Sequence, residues 1–570
     1  MSFSPGTTQK ETLLSPRQVE GLIADGRTII IVDDKVLKVD AWLKYHPGGD
    51  KAIMHMVGRD ATDELNAFHS AEARKQMERY QIGTIQPPWE NYVPPIQGGK
   101  FRPYFEDIEA SIEDSLEDNS EMESTNTEKS RSPSPLFDSE RLTVRRRGAA
   151  GKAGLARSSS VSSISLSTDG REQDWDNGLS YIADQTKEKL NLDLTKYPSL
   201  DADTQNEIIA KYRLLDNRLH AEGLYNCNYS AYAKELPRYI FLFGMMILCL
   251  RWGWYTTSGL FLGVFWHQLV FTIHDAGHMG ITHNFTVDTV IGMIMANFFG
   301  GLSLGWWKHN HNVHHLVTNA PEHDPDIEHL PFFAISHKFF TSLRSSYFER
   351  IMPYGDFSKF ILPYQAYLYY PLLTFGRFNL YALSWGHLIR GTGPKKGAAA
   401  WHRHFEIVGE IVFWIWFGYG IVYRTIPTYP YRLAFVLASH MVTMPLHVQF
   451  TLSHWAMSTA DLGPNESFPQ KMLRTTMDVD CPPWLDFFHG GLQFQAIHHL
   501  YPRVPRHNLR RVQKLVMGFC EDVGIPYALY GFVDGNKEVL GRLEEVGRQA
   551  AVLAECQKAI LRKGEFLREF

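Results

Sequence analysis

The sequence predicts an α+β unit at the N-terminus, a disordered linker, and an all-α integral membrane domain. That last domain should hold about four transmembrane helices under a cytosolic, histidine-rich cap. Three observations carry this. A β-branched run, a tight HPGG turn and helical segments fill residues 11–90. Residues 105–178 are charged, rich in serine and poor in large apolar side chains. From 236 onward long apolar runs alternate with histidine clusters, the densest being HNHNVHH at 309–315.

In the first unit, RTIIIVDD precedes VLKVDAWLKYHPGGD, KAIMHMVGRDATDELNAFHS follows as a helical stretch, and QIGTIQPP closes it with a prolyl exit. His46 in the HPGG turn and His69 in FHS are set to face one apolar pocket from opposite sides. Two such imidazoles can supply both axial bonds of a haem iron. Ligation of that kind leaves no open position, so the haem would move electrons rather than bind oxygen.

Between the units, EDSLEDNSEMESTNTEKSRSPSP is acidic and RRRGAAGKAGLARSSSVSSIS is basic and small. Neither can bury enough apolar surface to offset the entropy of ordering. RSSSVSS behind three arginines is a candidate for phosphorylation or a plain solvated tether. REQDWDNGLSYIADQTKEKLNLDL has a helical pattern. The net charge of −5 gives no footprint of a nucleic-acid partner. The five cysteines, Cys227, Cys249, Cys481, Cys520 and Cys556, are scattered, as in a reducing compartment. MSFSPGTTQKETLLSP lacks the apolar core of a signal peptide.

The domain over 236–520 offers two candidate helical hairpins. RYIFLFGMMILCL pairs with GLFLGVFWHQLVFTI, and IVGEIVFWIWFGYGIVY with LAFVLASHMVTMPLHVQFTL. Each approaches the roughly 20 residues that cross a bilayer, with Trp and Tyr near the ends. Residues 521–570 read as a helical tail.

Three histidine clusters lie at the ends of these runs: His274 and His278 in HDAGH, His311, His314 and His315 in HNVHH, and Gln495, His498 and His499 in QAIHH. On a helix, offsets of three and four put side chains on one face. One zinc ion takes about four ligands, so seven imidazoles fit two metal ions better. Imidazole without thiolate suits iron, zinc or copper. His454 in TLSHW is a further ligand candidate; His309 and His283 are weaker ones. His267, His440 and His447 lie inside apolar runs, where packing is the default. If the clusters share one site they share one membrane face. VIGMIMANFFGG should then re-enter or lie in the interface, as should ILPYQAYLYYPLLTF, leaving four spans in two hairpins.

These motifs carry a family resemblance. Residues 11–90 resemble a cytochrome b5 domain. The domain over 236–520 resembles the membrane fatty-acid desaturases that carry such a domain at the N-terminus, whose pattern is HxxxH, HxxHH and QxxHH. The third box usually reads Gln-Ile-Glu-His-His; here Ala496 and Ile497 fill the middle. HDAGHMGITHNF, SLGWWKHNHNVHH and NAPEHDPDIEHLPFF look most like the fungal sphingolipid Δ8-desaturases. The resemblance implies haem b on His46 and His69. It also implies a di-iron centre that uses O2 and electrons from NADH, delivered through a separate cytochrome b5 reductase. The implied substrate is the long-chain base of a ceramide, and the implied location is the endoplasmic reticulum with both sites facing the cytosol. A front-end Δ5/Δ6 fatty-acid desaturase, a lipid hydroxylase and a haem electron carrier remain as alternatives. Asp275, Asp324, Asp326 and Glu328 are candidates to hydrogen-bond the ligand imidazoles from behind, and the last three fit exposed loop acids equally well.

Overall fold

The computed structural model describes residues 12–105 and 172–566. Most of the linker read over 105–178, with its serine cluster, lies outside the described residues. Residues up to 103 and from 178 onward belong to one unit.

The N-terminal part is built on a four-stranded sheet of order β1-β4-β3-β2, with β1 Leu13–Leu14, β2 Ile29–Val32, β3 Lys35–Lys38 and β4 Gln81–Ile85. β1 runs parallel to β4; the other pairs are antiparallel. Asp33 and Asp34 turn β2 into β3 with φ of 48° and 61°. Short Asp side chains tolerate that left-handed region, whose twist suits a two-residue hairpin. Helix α1, Pro16–Ala24, starts at a reciprocal cap between Ser15 and Gln18. The unbroken IIIV of β2 is explained by burial on both faces. Ile29 and Ile31 pack with Val19, Ile23 and Val57, while Ile30 and Val32 pack with Leu37, Val39 and Met56. Helices α2, Asp50–Met54, α3, Thr62–Phe68, and α4, Ala71–Met77, follow.

Two helices follow: α5, Glu172–Lys196, over the stretch with the helical pattern, and α6, Ala202–Ala221, between the linker and the apolar domain, where the sequence predicts no element. α6 buries Ile208, Tyr212, Leu215 and Leu219 in one cluster with Ile497 of the third histidine box and Leu500 and Tyr501 just after it. The Tyr212 hydroxyl donates to the Leu500 carbonyl at 2.9 Å, and Arg474 pairs with Asp193 at 2.9 Å. Sparse apolar residues at helical spacing hide such a helix among polar sequence. Replacing 106–171 by a short flexible spacer should therefore change product formation in cells by no more than about twofold, because closure entropy varies slowly with loop length. A deletion that also removes 202–221 should leave no folded protein by thermal melting.

Among the described residues, two helical segments are long and apolar enough to cross a membrane, His402–Thr425 and Tyr429–Trp455. The first comprises α13, His402–Phe413, and a wider π-type coil, Trp414–Thr425. The second comprises α14, Tyr429–Met441, and α15, Met444–Trp455. The other expected hairpin is present as α7, Tyr229–Arg251, and α8, Tyr255–Gly277, each of 23 residues. Both are less uniformly apolar. α7 opens with the polar YSAYAKELPR, and α8 carries His267, Gln268, His274 and Asp275. Trp252 and Trp254 are exposed at the turn between them. Gly259 and Gly263 let α8 lie flush on α14, where a Cβ would come 2.6 Å from the Phe435 carbonyl oxygen and 2.2 Å from that of Ser439.

Helix α9, Phe285–Met293, runs on to Gly300 and meets α10, Leu304–Leu316, at a 115° bend. Gly301 makes the corner with φ of 66°. Buried Glu406 secures it, accepting from the Ser303 hydroxyl at 2.5 Å and the Gly305 amide at 2.8 Å. The aromatic run after residue 361 forms α11, Gln365–Leu373, nine residues and too short to span, followed by α12, Gly376–Arg390. The chain closes with α16, Phe468–Thr475, α17, Gln495–Leu500, α18, Leu509–Val523, and the long α19, Phe532–Phe566.

Candidate metal centre and haem site

Four helices bring the histidines together. His274 sits in the last turn of α8 with His278 just beyond it, and α10 carries His311, His314 and His315. His454 ends α15, and α17 carries His498 and His499. Ligand atoms of His274, His278, His311 and His498 lie within 4.8 Å of one another, as do those of His314, His454 and His499. His315 stands between the sets, its ring 4.9 Å from His278 and 4.1 Å from His499. Its Nε2 is 3.1 Å from Nε2 of His311. The arrangement is two adjoining groups of imidazoles.

Whether these residues suit metal can be judged from their unused atoms. His278 Nε2, His315 Nδ1, His454 Nδ1, His498 Nε2 and His499 Nε2 are buried without a hydrogen-bond partner. A polar atom stranded away from water costs free energy. Five converging in one place are accounted for by ions that accept their lone pairs. Burial pushes His311, His315, His498 and His499 down, which keeps them neutral and able to ligate. His314 differs: burial pulls it down too, but Asp324 and Asp326 outweigh this and raise it to about 9.

The cause is geometric. Asp324 is fully buried and meets His314 Nδ1 at 2.9 Å, leaving Nε2 for the centre. It also accepts from the Asn319 amide at 2.7 Å and the Asp326 amide at 2.9 Å. Asn319 in turn donates to the His454 carbonyl at 2.7 Å. Asp324 thus orients one imidazole and, through Asn319, ties its segment to the one that carries His454. Asp324→Asn should lower iron affinity or activity about ten- to a hundredfold, the usual cost of losing such a partner, read as metal content after dialysis against a chelator.

The other expected supports fare differently. Asp326 lies 3.8 Å from both His311 Nδ1 and His314 Nδ1. Asp275 bonds no imidazole; it accepts from Tyr232 and Arg506, locking the first box to the segment after the third. Glu328 accepts from Ser345 at 2.6 Å. His309 contacts Tyr347 and His283 contacts the Tyr225 carbonyl, so both stay outside the two groups. His267 packs on Phe271 and Phe488, and His440 on Trp266 and Phe378; His447 lies against Gly376. Gln495 is buried at the start of α17. Asp478 escaped the sequence reading: it accepts from the Ala496 amide at 2.8 Å and from Gln513 at 2.9 Å, holding the N-terminus of α17. It lies too far along the chain to be read as a cap.

In the N-terminal part, His46 and His69 face each other with ring centroids 6.0 Å apart. Two metal–nitrogen bonds of about 2 Å fit between them. The Gly49 carbonyl holds His46 Nδ1 at 2.6 Å, turning Nε2 to the gap. Burial pushes His46 down and His69 down to about 3, so both are neutral. A cavity of about 540 Å³ surrounds them, lined by Ile30, Val39, Trp42, Met56, Leu65 and Phe68. Its size and lining suit a flat apolar cofactor.

The sequence model of the cytochrome b5-like haem/steroid binding domain matches residues 15–86, and that of the fatty acid desaturases matches 251–531. A Delta 8-(E)-sphingolipid desaturase of Emericella nidulans is 60% identical over 98% of each chain. The chain belongs to the fatty acid desaturase family, in its cytochrome b5-fused branch. It is an oxidoreductase of the desaturase class, and its domains imply haem and iron. Another Delta 8-(E)-sphingolipid desaturase, from Kluyveromyces lactis, is 48% identical over 96% of this desaturase and 95% of its own length. An acyl-lipid (9-3)-desaturase of Borago officinalis is 35% identical over 60% of this chain and 76% of its own.

Proposed function

We propose that the chain introduces an E double bond at C8 of the long-chain base of a ceramide. The observation that carries this is the near full-length similarity to proteins named Delta 8-(E)-sphingolipid desaturases. Two iron ions would be held by His274, His278, His311, His314, His315, His454, His498 and His499, and haem b by His46 and His69. When bound, the iron supplies O2 activation. Two hydrogens leave adjacent methylenes, and with O2, two electrons and two protons they are accounted for as two waters. The electrons would come singly through the haem from an NADH-dependent reductase.

The protein's part is positional. Asp324 and Thr318 orient His314 and His499 from behind, at 2.9 and 3.3 Å. The Asp275–Arg506 pair fixes the end of α8 relative to α17. The apolar helices below the cap would exclude water and admit the sphingoid chain from the bilayer. α7, α8, the His402–Thr425 segment and the Tyr429–Trp455 segment would span as two hairpins. The 115° bend between α9 and α10 would let that segment re-enter on the cap side. Both sites would then lie on one face, cytosolic in an endoplasmic reticulum membrane.

The test is lipid analysis of yeast expressing the chain or its His498→Ala variant, with long-chain bases and fatty acids profiled separately. Unsaturation at C8 of the base, absent in the variant, is expected. A new double bond confined to fatty acids would overturn the substrate assignment and favour a front-end acyl-lipid desaturase.

A further inference from the structure

The haem cavity is not closed by the N-terminal part alone. Its wall continues over Gly277, Met279, Lys308, Asn312, Leu316 and Arg503, all from the desaturase part. The HPGG turn is seated on α10. A Cβ at Gly48 would come 2.5 Å from Asn312 Nδ2, and one at Gly49 would come 2.5 Å from His309 Cδ2. Around this seat Lys51 donates to the Ser346 carbonyl at 3.1 Å, Asn91 to the Pro464 carbonyl at 3.2 Å, and Arg213 to Asp63 at 2.7 Å.

Two cations in that wall have no carboxylate within 4 Å among the described residues. Lys308 is 7% exposed, and its ammonium has neither a hydrogen-bond acceptor nor a carboxylate within 4 Å among the described residues. Its contact is the ring of Phe285, 5.4 Å away. The carboxylates that act on it from further off are committed elsewhere: Asp288 accepts from Ile281 and Thr282, and Glu406 from Ser303 and Gly305. Among the described residues no carboxylate lies within 4 Å of Arg503 either; Glu72 and Asp216 act on it from further off, and its Nε is buried without a partner. Glu64 and Glu72 line the same cavity, yet neither reaches either cation within 4 Å. Lys308 is buried and Arg503 half-buried; withdrawing a cation from water without a counter-ion is costly, so two around one cavity point to an anionic occupant.

We propose that Lys308 and Arg503 bind the two propionate carboxylates of the haem, so that the desaturase part completes the haem site. This rests on the haem reading of His46 and His69. It makes α10 a shared element, with His311, His314 and His315 in the imidazole groups and Lys308 and Asn312 at the haem cavity. The propionate edge of the haem then faces the desaturase part.

The test uses the full-length protein reconstituted with haem b or with haem dimethyl ester, which lacks the two charges. Release to excess apomyoglobin is timed for the parent, Lys308→Met, Arg503→Gln and Lys308→Arg. Each charge-removing variant should release haem b about tenfold faster or more, the scale of a hydrogen bond between charged groups. Lys308→Arg should stay near the parent, and all four should release the ester at one rate. Parental release of haem b by Lys308→Met and Arg503→Gln would overturn the proposal. Equal acceleration for both haems would overturn it too, since that marks a packing defect. A parent chain that takes up no haem, seen as no Soret absorbance, would instead overturn the haem reading itself.

Discussion

Replacing His315 with alanine is expected, on the proposed two-iron and haem reading, to take iron from about three atoms per chain to about one, the haem iron alone. Desaturation should fall by more than the ten- to hundredfold that follows loss of an outer partner. No other imidazole is placed as this one is. It is fully buried, its ring lies 4.6 Å from His311, 4.8 Å from His498 and 4.1 Å from His499, and it belongs to neither compact group. Removing it takes a donor from the junction and leaves His311 Nε2 without its 3.1 Å neighbour. Either ion would then keep an incomplete set, which water would have to complete in a site surrounded by apolar helices. Iron analysis beside the haem spectrum separates the outcomes. Retention of all three irons with full activity would remove His315 from the ligand set.

His69→Ala should have the complementary signature. Haem absorbance should disappear while the non-haem iron stays, and product in cells should fall to background. His69 follows α3 directly, and its neighbour Phe68 packs edge-on against His315, ring centroids 5.5 Å apart. The haem site and the imidazole groups are therefore joined by adjacent side chains. A tether alone would supply the electron donor at an effective concentration on the order of mM. The seating of HPGG on α10 adds a defined approach. Unchanged product in the haem-free variant would mean that electrons reach the iron by another route.

Much of this site was legible because its chemistry is local. HDAGH, HNVHH and QAIHH declare their imidazoles by helical spacing, and HPGG with FHS declares a facing pair. Asp324 could be nominated because it lies close behind the second box. His309 and His283 show the limit of proximity in sequence: both neighbour the boxes, yet one turns to Tyr347 and the other to the Tyr225 carbonyl. α6 was missed because its apolar residues are few and its partners lie in the third box. Asp478 was missed because the helix end it holds comes later in the chain.

By itself, then, the sequence determined the ligand types on offer, three clusters of imidazoles without thiolate and a separate histidine pair, because ligand type and helical offset are properties of short segments. The family resemblance was readable for the same reason. Only the tertiary structure decided how the segments meet: that His315 joins the two groups, that Asp275 serves Arg506 rather than an imidazole, and that a polar stretch before residue 221 is core. It also decided that Lys308 and Arg503 face the haem cavity unpaired. Those outcomes depend on burial and on partners distant in the chain, where the cost of leaving a charge or a ring nitrogen unmatched selects one arrangement.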